Sequence, residues 1–293
     1  MTHVGGGYGL SPVIALSARL VRQGRLIGTR RLREGGVILS GRRMAPQERV
    51  FVTDAAEEVR VRNTLPRDFP GISDLCKCIY PDTAPWSANE LSSHLAVFPE
   101  GQFVAVYGSE EKVVGMCASL IVLWDDYQML DNWEAFTADG FFTNHDAKHG
   151  HTLYGAEVIV DPRFEHHGIG EKLYCARRGL TKRLELWRIR GGSRLRGYHQ
   201  YAGQVAPEEY VVQVVHGYLR DPTLTFQLHQ GFHVLAVVPH YLSDDPASLG
   251  YAAVIEWLNP ETIVPEMLVE RPTQFLHKDV LRHLVTGDNR DYH

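Results

Sequence analysis

The sequence predicts a mixed α/β fold, an α+β arrangement in which helices cover one mixed β-sheet. Short apolar runs rich in valine and isoleucine recur between residues 57 and 260, as expected for buried strands. One segment of this region has apolar residues three or four positions apart, which is typical of an amphipathic helix. A strand-like run leads through a glycine-containing turn directly into that helix. The apolar helical positions are Ile169, Leu173, Ala176, Leu180, Leu184 and Trp187.

Composition excludes several classes of protein. The chain has 293 residues, 44% of them hydrophobic and 22% charged, as in an ordinary globular protein. It contains no run of about 18 apolar residues, so we expect no membrane-spanning segment and no membrane partner. The four cysteines are too few for a disulfide scaffold and lack the CxxC spacing of metal sites. We expect reduced, mostly buried thiols in a cytoplasmic protein, at Cys76, Cys78, Cys117 and Cys175.

Charge is distributed unevenly along the chain. Residues 1–43 contain eight arginines and one acid, a net charge of +7, whereas the remaining residues carry −12. An acidic body is a poor partner for nucleic acid, so none is predicted. The glycine-rich head, residues 1–47, is predicted to be a disordered or weakly structured basic extension. A start of translation at Met44 is the interpretation that we prefer for this head.

The predicted domain spans residues 57–260. Its first half is predicted to contain a strand, two helices and a hairpin. Valines alternate with polar residues over 58–62, which indicates a strand. Asp68 precedes a helical stripe of Ile72, Leu75 and Ile79. Ser87 and Glu90 form a capping box that opens the second helix. Two apolar runs, Phe103–Tyr107 and Val113–Val122, then predict a hairpin.

The second half alternates strands and helices. A strand over Tyr154–Val160 precedes the amphipathic helix, which we expect Gly191 and Gly192 to end, before a short strand over Ser193–Arg196. Proline opens each of the next two helices, and two strands close the domain. The prolines are Pro207 and Pro222, Gly231 ends the second of these helices, and the strands are Phe232–Val238 and Tyr251–Leu258. A polar tail follows, residues 261–293, with one predicted helix over Gln274–Val285.

The turn before the amphipathic helix is the segment that indicates chemistry. The first amides of a helix have no intrahelical acceptor and lie at the positive end of its dipole, and glycines allow a phosphate to approach them. A dinucleotide fingerprint requires a third glycine or alanine where Leu173 stands. A P-loop requires Gly-Lys-Ser/Thr, which the turn lacks. Neither of these phosphate sites therefore fits.

Residues 160–170, VDPRFEHHGIG, resemble motif A of the GNAT acetyltransferases, V-x-P-x-x-(R/Q)-x-x-G-x-(G/A). Residues 226–232, FQLHQGF, resemble a later motif of that family, F-Y-x-x-x-G-F. Other segments are similar to the GNAT domain that is often fused to a carbon–nitrogen hydrolase domain: His199-x-Tyr201, Pro207–Tyr210, Asp221-Pro222 and Gly250–Pro260. Two positions depart from the family, since Glu165 replaces Arg or Gln and Gln227 replaces a tyrosine that often protonates the leaving thiolate.

The resemblance implies the GNAT fold, acetyl-CoA as cosubstrate and transfer of its acetyl group to a small-molecule or peptide amine. It assigns the pantetheine arm to the backbone of β-strand residues and the pyrophosphate to the turn and the first amides of the helix. The implied cofactor-binding residues are Val158, Ile159, Val160, Glu165, His166, His167, Gly168, Ile169, Gly170 and Glu171. It also allows a homodimer. With Glu165 and Gln227 in place, a non-catalytic CoA-binding module that partners a separate carbon–nitrogen hydrolase is the alternative.

Glu157 is the first candidate for the general base, because it lies in an otherwise apolar strand where burial would raise its pKa. A solvent-facing or arginine-paired Glu157 is the competing interpretation. Tyr201 and Tyr218 are the candidates for further acid or base groups, with His199 and Tyr210 as alternatives; each could equally be a packed or surface residue.

Two further clusters bear on ligands. The three histidines of residues 145–151 stand near Asp146, but their spacing matches no zinc pattern, so we expect a polar loop and no metal. Residues 123–150 hold six acids and one lysine among aromatic residues. Such a surface would attract a cationic amine. A solvated flap with its aromatic residues against the core is the competing interpretation.

Overall fold

The computed structural model describes residues 58–81, 83–164, 167–243, 245–264 and 271–276. The described residues belong to one compact unit, within Val52–His293. The predicted basic extension and Met44 lie outside the described residues, so both remain predictions. Within the described part of the chain, no helix is both long and apolar enough to cross a membrane.

A seven-stranded mixed sheet forms the centre of this unit, which confirms the predicted fold class. Its strand order is β1-β2-β3-β4-β5-β7-β6, and every neighbouring pair is antiparallel except β4 and β5. The strands are β1 Val59–Asn63, β2 Phe103–Tyr107, β3 Lys112–Val122, β4 Thr152–Val160, β5 Arg188–Arg194, β6 His233–Val238 and β7 Ala252–Leu258. The helices are α1 Phe69–Ile79, α2 Ala88–Val97, α3 Trp133–Thr137, α4 Ile169–Arg183, α5 Pro207–Val215 and α6 Leu224–His229.

Helices cover both faces of this sheet. Alternate residues of β3 divide between two cores, because successive side chains of a strand point to opposite faces. Cys117 and Ile121 join the core beneath α4, α5 and α6. Met116 and Leu120 join the core beneath α1 and α2. The sheet is therefore the middle layer of the unit.

The local signals that open and close helices act as predicted. Ser87 Oγ accepts a hydrogen bond from the amide of Glu90 at 3.2 Å, and Glu90 accepts one from the amide of Ser87 at 2.7 Å. This reciprocal pair satisfies two amides that would otherwise have no partner at the start of α2. Gly231, which follows α6, has a φ of 82°. That left-handed conformation favours glycine.

The end of the long helix is where the sequence interpretation was wrong. α4 ends at Arg183, and Leu184 and Trp187 are 39% and 38% exposed rather than part of its apolar face. Gly191 and Gly192 lie inside β5, which therefore spans Arg188–Arg194 instead of the predicted 193–196. A Cβ atom at Gly191 would lie 2.8 Å from the carbonyl oxygen of Gly155. Gly191 is thus required by the close approach of two strands.

Residues 123–150, the aromatic insertion, pack against the core. Phe136 of α3 and Phe142 are 1% and 0% exposed, whereas the acids Asp125, Asp126 and Asp139 are exposed. Phe136 stacks on Tyr154 of β4, with ring centroids 4.6 Å apart. The insertion is consequently anchored by its aromatic side chains, as in the competing interpretation of a flap against the core.

Two smaller expectations need correction. Cys76 and Cys117 are buried, but Cys78 and Cys175 are exposed, so burial holds for half of the thiols; all four are free. In the tail, Thr273–Phe275 form a single 3-10 turn and Leu276 has an extended backbone, so the α-helix predicted from Gln274 does not begin there. Residues 277–285 of that predicted helix lie outside the described residues.

Candidate active site

The strands β4 and β5 separate after a short parallel pairing. They are in register only from Thr152 to Tyr154 on β4 and from Arg188 to Arg190 on β5. Both strands continue, β4 to Val160 and β5 to Arg194. A gap therefore opens in the middle of the sheet, and the edge of β4 that faces it retains backbone groups that no neighbouring strand pairs.

A β-bulge marks the point where the strands part. The register between β3 and β4 shifts there: Ser119 is opposite Gly155, whereas Ala118 is opposite Glu157. Ala156 is the extra residue, and such a residue bends its strand. Trp133 of the aromatic insertion donates a hydrogen bond from Nε1 to the carbonyl oxygen of Ala156 at 3.0 Å. The insertion thus supports the bend in β4.

A buried arginine stabilises the same bulge from the other face. Arg177 of α4 is 2% exposed. Its Nη2 donates to the carbonyl oxygens of Glu157 and Ala118, at 2.7 and 3.0 Å, and its Nε donates to Ser119 Oγ at 3.0 Å. A Cβ atom at Gly155 would lie 2.8 Å from Arg177 Nη1. The guanidinium therefore occupies the space that the glycine leaves free.

Glu157 is partly buried at this bulge. Its Oε1 accepts hydrogen bonds from the Tyr80 hydroxyl at 3.3 Å and from the amide of Val158 at 3.1 Å. Burial raises the pKa of Glu157 to about 7, although both hydrogen bonds and the charges of Arg194 and Arg177 lower it. A carboxyl group with this pKa can accept and release a proton near neutral pH. The raised pKa expected from the sequence is thus present.

Aromatic and charged side chains surround this carboxylate. Tyr80 follows the last residue of α1, and the guanidinium carbon of Arg194 lies 5.3 Å from the centre of its ring. Arg194 also forms an ion pair with Asp245, in the connection between β6 and β7. In the same connection, the Tyr241 hydroxyl accepts from the amide of Gly192 at 3.1 Å and is hydrogen-bonded to the hydroxyl of Tyr154. Elements from both halves of the sheet therefore meet around Glu157.

The predicted strand–turn–helix is confirmed at the end of β4. Gly168 precedes α4 with a left-handed φ of 67°, and no atom lies within 4 Å of a Cβ added there. The first intrahelical bond runs from the Lys172 amide to the Gly168 carbonyl at 3.0 Å. The preceding amides, those of Ile169, Gly170 and Glu171, therefore have no acceptor within the helix. Glu165 and His166 lie outside the described residues, and His167 Nδ1 is 3.2 Å from the Phe164 carbonyl oxygen.

Helix α6 and strand β5 each carry a buried polar atom that has no hydrogen-bond partner among the described residues. Gln227 of α6 donates from Nε2 to the hydroxyl of Tyr174 on α4 at 2.8 Å. Within the described residues, Gln227 Oε1 and Ser193 Oγ of β5 are buried and have no hydrogen-bond partner. Such groups are rare in a native structure and indicate a missing ligand or water. Gln227, the departure from the family motif, thus orients another tyrosine.

The other sequence-predicted groups have contacts of their own. Tyr201 is half-buried, and its ring centroid is 5.4 Å from that of Tyr210. Tyr218 is 64% exposed. His199 Nδ1 lies 2.9 Å from the carbonyl oxygen of Ala247, and Tyr210 is buried with its hydroxyl donating to Asp221. The catalytic roles of Tyr201 and Tyr218 stay predictions.

The histidines near Asp146 each have a local contact. His145 Nδ1 accepts from the Ile121 amide at 3.0 Å, His149 pairs with Asp146, and His151 stacks on Trp187. In the part of the chain that the structure describes, no group of three or more His, Cys, Asp or Glu residues could hold a metal ion.

Three residues of the site were missed from the sequence. Arg177 could have been found, because it falls four residues after Leu173 and three before Leu180, on the apolar face of its helix. A charge in that position indicates a buried partner. Tyr80 and Arg194 are separated in sequence from Glu157 and carry no pattern that connects them with it.

Comparison with known proteins shows the family to which the chain belongs. No family model matches the chain. It is 33% identical over 207 residues to the uncharacterized N-acetyltransferase YkwB of Bacillus subtilis (strain 168), covering 69% of this chain and 90% of that protein. The chain belongs to the GNAT acetyltransferases. The GNAT protein is also 41% identical over 212 residues to the probable hydrolase YhcX of the same strain, covering 72% of this chain but only 41% of YhcX.

Solved structures agree with this assignment at the level of the fold. The GNAT-like decarboxylase GphF in complex with isobutyryl-CoA matches with a TM-score of 0.58 at 22% identity, over 68% of this GNAT chain and 99% of that chain. The loading GNATL domain of CurA from Lyngbya majuscula also matches with a TM-score of 0.58, at 16% identity, over 70% of this chain and 99% of that one.

Proposed function

We propose that this protein transfers an acetyl group from acetyl-CoA to a primary amine by direct attack of the amine on the thioester. The observation that carries the proposal is Glu157, a carboxyl group with a pKa of about 7 at the point where β4 leaves β5. An amine is protonated at neutral pH and must lose a proton before it attacks, so the reaction requires a base of this kind.

The residues around the gap fit an acyl-CoA donor, which would supply the activated acetyl group. The amides of Ile169, Gly170 and Glu171 would hold the diphosphate, at the positive end of the α4 dipole. The gap-facing edge of β4 offers the backbone of Val158 and Val160 to the pantetheine arm. The unpartnered Ser193 Oγ and Gln227 Oε1 are further groups that such a ligand would satisfy. The GNAT-like decarboxylase that binds isobutyryl-CoA shares this fold.

The transfer forms a bond between nitrogen and the acetyl carbon and breaks the bond between that carbon and sulfur. Glu157 accepts the proton that the ammonium group loses. The amide of Val158 stabilises the negative charge that develops on the carbonyl oxygen. The Tyr174 hydroxyl, which Gln227 orients, protonates the departing thiolate. The nitrogen loses its second proton as the amide forms, and this proton restores the Tyr174 hydroxyl. Tyr201 and Tyr218 remain the alternative donors that the sequence suggests.

The acceptor is a small-molecule or peptide primary amine, and a cationic one suits the insertion beside the site. Glu134 of α3 accepts a hydrogen bond from Ser243 Oγ at 3.1 Å through Oε1. Its Oε2 is buried and has no partner within the described residues. With the exposed acids of the insertion, this carboxylate favours an acceptor that carries a second positive charge. We place the reaction in the cytoplasm, since the free cysteines suit a reducing compartment.

A binding assay combined with a turnover assay tests the proposal. Acetyl-CoA should raise the midpoint temperature of thermal unfolding, whereas NAD should not. At a concentration of about 100 times its dissociation constant, acetyl-CoA should add about 2.7 kcal/mol to the free energy of unfolding. The protein should then release CoA from acetyl-CoA when amines from a panel of mono- and diamines are added. The Glu157→Gln variant should bind acetyl-CoA but lose at least about 100-fold in turnover. Glu110→Gln, in the exposed turn between β2 and β3, is the matched control and should retain full activity.

A second candidate follows from the similarity to YhcX. The chain spans about two fifths of that probable hydrolase, so a CoA-binding module that partners a carbon–nitrogen hydrolase is the alternative. This function predicts CoA binding without turnover of any amine. Acetylated product from any member of the panel would exclude it, whereas binding without product would favour it over catalysis.

A further inference from the structure

One of the backbone donors that face the gap is already used by the proposed base. In an antiparallel pair, hydrogen-bonded and non-hydrogen-bonded residue pairs alternate. The amide of Asp161 donates to the Val114 carbonyl of β3 at 2.9 Å, and the register pairs Val160 with Gly115 and Val158 with Cys117. The backbone groups of Val158 and Val160 therefore point away from β3, into the gap between β4 and β5.

The Val158 amide donates to the Glu157 carboxylate at 3.1 Å. This bond joins neighbours in the chain, so the carboxylate folds back over the strand that carries it. The same amide is the donor that the acyl carbonyl would need for polarisation. The amide has a single proton, so these two acceptors compete for it.

We infer that the acyl carbonyl of the donor displaces the Glu157 carboxylate from the Val158 amide, so that donor binding releases the base for the acceptor amine. The inference rests on the proposed function. Before the donor binds, the carboxylate is held against its own strand; afterwards, Tyr80 is the hydrogen-bond partner that remains.

Displacement of the carboxylate from the Val158 amide changes the protonation of Glu157. The Val158 hydrogen bond lowers the pKa of Glu157, so its loss raises that pKa and the carboxyl takes up a proton near neutral pH. With a pKa of about 7, about half of the Glu157 carboxyl groups are ionised at pH 7 in the free protein, so the uptake is at most about half a proton.

The other groups that face Glu157 do not titrate near neutral pH. Burial raises the pKa of the Cys76 thiol to about 12, and it raises those of the Tyr80 and Tyr241 phenols above their usual value. Arg177 and Arg194 remain cationic. Proton uptake that depends on the acyl carbonyl can therefore be assigned to Glu157.

Titration calorimetry in two buffers with different ionisation enthalpies measures this uptake. Three ligands are compared at pH 7: acetyl-CoA, CoA, and the thioether S-ethyl-CoA, which has no carbonyl group. Their phosphates are common to all three, so protons exchanged at the phosphates cancel. Binding of acetyl-CoA should be accompanied by uptake of more protons than binding of either other ligand, by up to about half a proton. Its affinity should accordingly fall relative to that of CoA as the pH rises through 7.

The Glu157→Gln variant should abolish the difference between acetyl-CoA and S-ethyl-CoA, and Glu110→Gln should preserve it. Equal proton uptake for the three ligands in the unmodified protein would overturn the inference while leaving acyl-CoA binding, and hence the proposed function, intact. This comparison of ligands needs no variant, so it also decides the case if Glu157→Gln does not fold. Absence of binding by all three ligands would instead overturn the proposed function, and the inference with it.

Discussion

The guanidinium of Arg177 lies 2.7 Å from the carbonyl oxygen of Glu157, and this contact joins the long helix α4 to the bend in β4. A bulge leaves backbone groups without ladder partners, and buried groups of this kind are costly if they stay unpaired. Arg177 adds a buried donor to two carbonyls at the bulge with one nitrogen, and to Ser119 Oγ with another. The position of the proposed base is thus set by a residue on another element.

Replacing Arg177 by methionine should strongly destabilise the protein. The substitution keeps the apolar stem but removes three buried hydrogen bonds that the charged guanidinium donates, to Ala118, Ser119 and Glu157, at a cost of about 3 kcal/mol or more. Urea unfolding at pH 7 measures the loss. Arg183→Met, at the exposed end of α4, is the control and should change stability by less than about 0.5 kcal/mol. Equal stability of the two variants would mean that the bulge does not depend on Arg177.

Stability should also depend on the protonation of Glu157. Its folded pKa of about 7 lies above the ordinary value of 4.5, so the folded state binds the proton more tightly than the unfolded chain. The free energy of unfolding therefore falls as the pH rises from 4.5 through 7, by at most about 3 kcal/mol from this group.

The Glu157→Gln variant removes this penalty. The difference in the free energy of unfolding between this variant and the unmodified protein should therefore shift in favour of the variant as the pH rises from 5 to 8. Urea unfolding at both pH values measures it. Glu110→Gln should show no such gain. A gain that is the same at pH 5 and pH 8 would show that burial of the charge is not its cause.

Most of the fold could be predicted from the sequence, because its signals are local. The capping box at Ser87, the hairpin of β2 and β3, and the strand–turn–helix at Gly168 depend on neighbouring residues, and all three are present. The end of α4 could not be predicted in this way. The apolar spacing continues to Trp187 although the helix stops, and only the contact of Gly191 with Gly155 reveals why glycine stands there.

The site was predictable to a smaller extent. Glu157 stood out as an acid in an apolar strand, and the glycine turn indicated where a phosphate could bind. The partners Tyr80 and Arg194 are brought to Glu157 by the packing of α1 and the course of β5, which no short spacing encodes. The substitution at Gln227 suggested a lost tyrosine, whereas the contact with Tyr174 depends on how α6 packs against α4.

Two glycines should respond in opposite directions to alanine. A Cβ atom at Gly191 meets the backbone of Gly155 at 2.8 Å, so Gly191→Ala must push the strands apart, at a cost of about 1–3 kcal/mol. Gly179 is exposed in α4, with no atom within 4 Å of an added Cβ, so Gly179→Ala should stabilise the helix by up to about 1 kcal/mol. Thermal unfolding of both variants tests the pair. A neutral Gly191→Ala would contradict the close strand contact.

Activity should follow the ionisation of Glu157. The base accepts a proton only when it is ionised, so kcat/KM for acetyl-CoA should rise tenfold per pH unit below about 7 and level off above it. The acceptor should be an amine that stays protonated up to about pH 9, so that its own ionisation does not contribute.

Tyr80→Phe removes a hydrogen bond that lowers the pKa of Glu157, and it should therefore move the midpoint to higher pH. Tyr107→Phe, whose ring packs against Phe164, is the control and should leave the midpoint unchanged. A midpoint of the pH dependence near 4.5 would exclude Glu157 as the base, because it requires a carboxyl group that burial does not affect. A shift of the midpoint to lower pH in Tyr80→Phe would exclude it as well, because it requires a different titrating group.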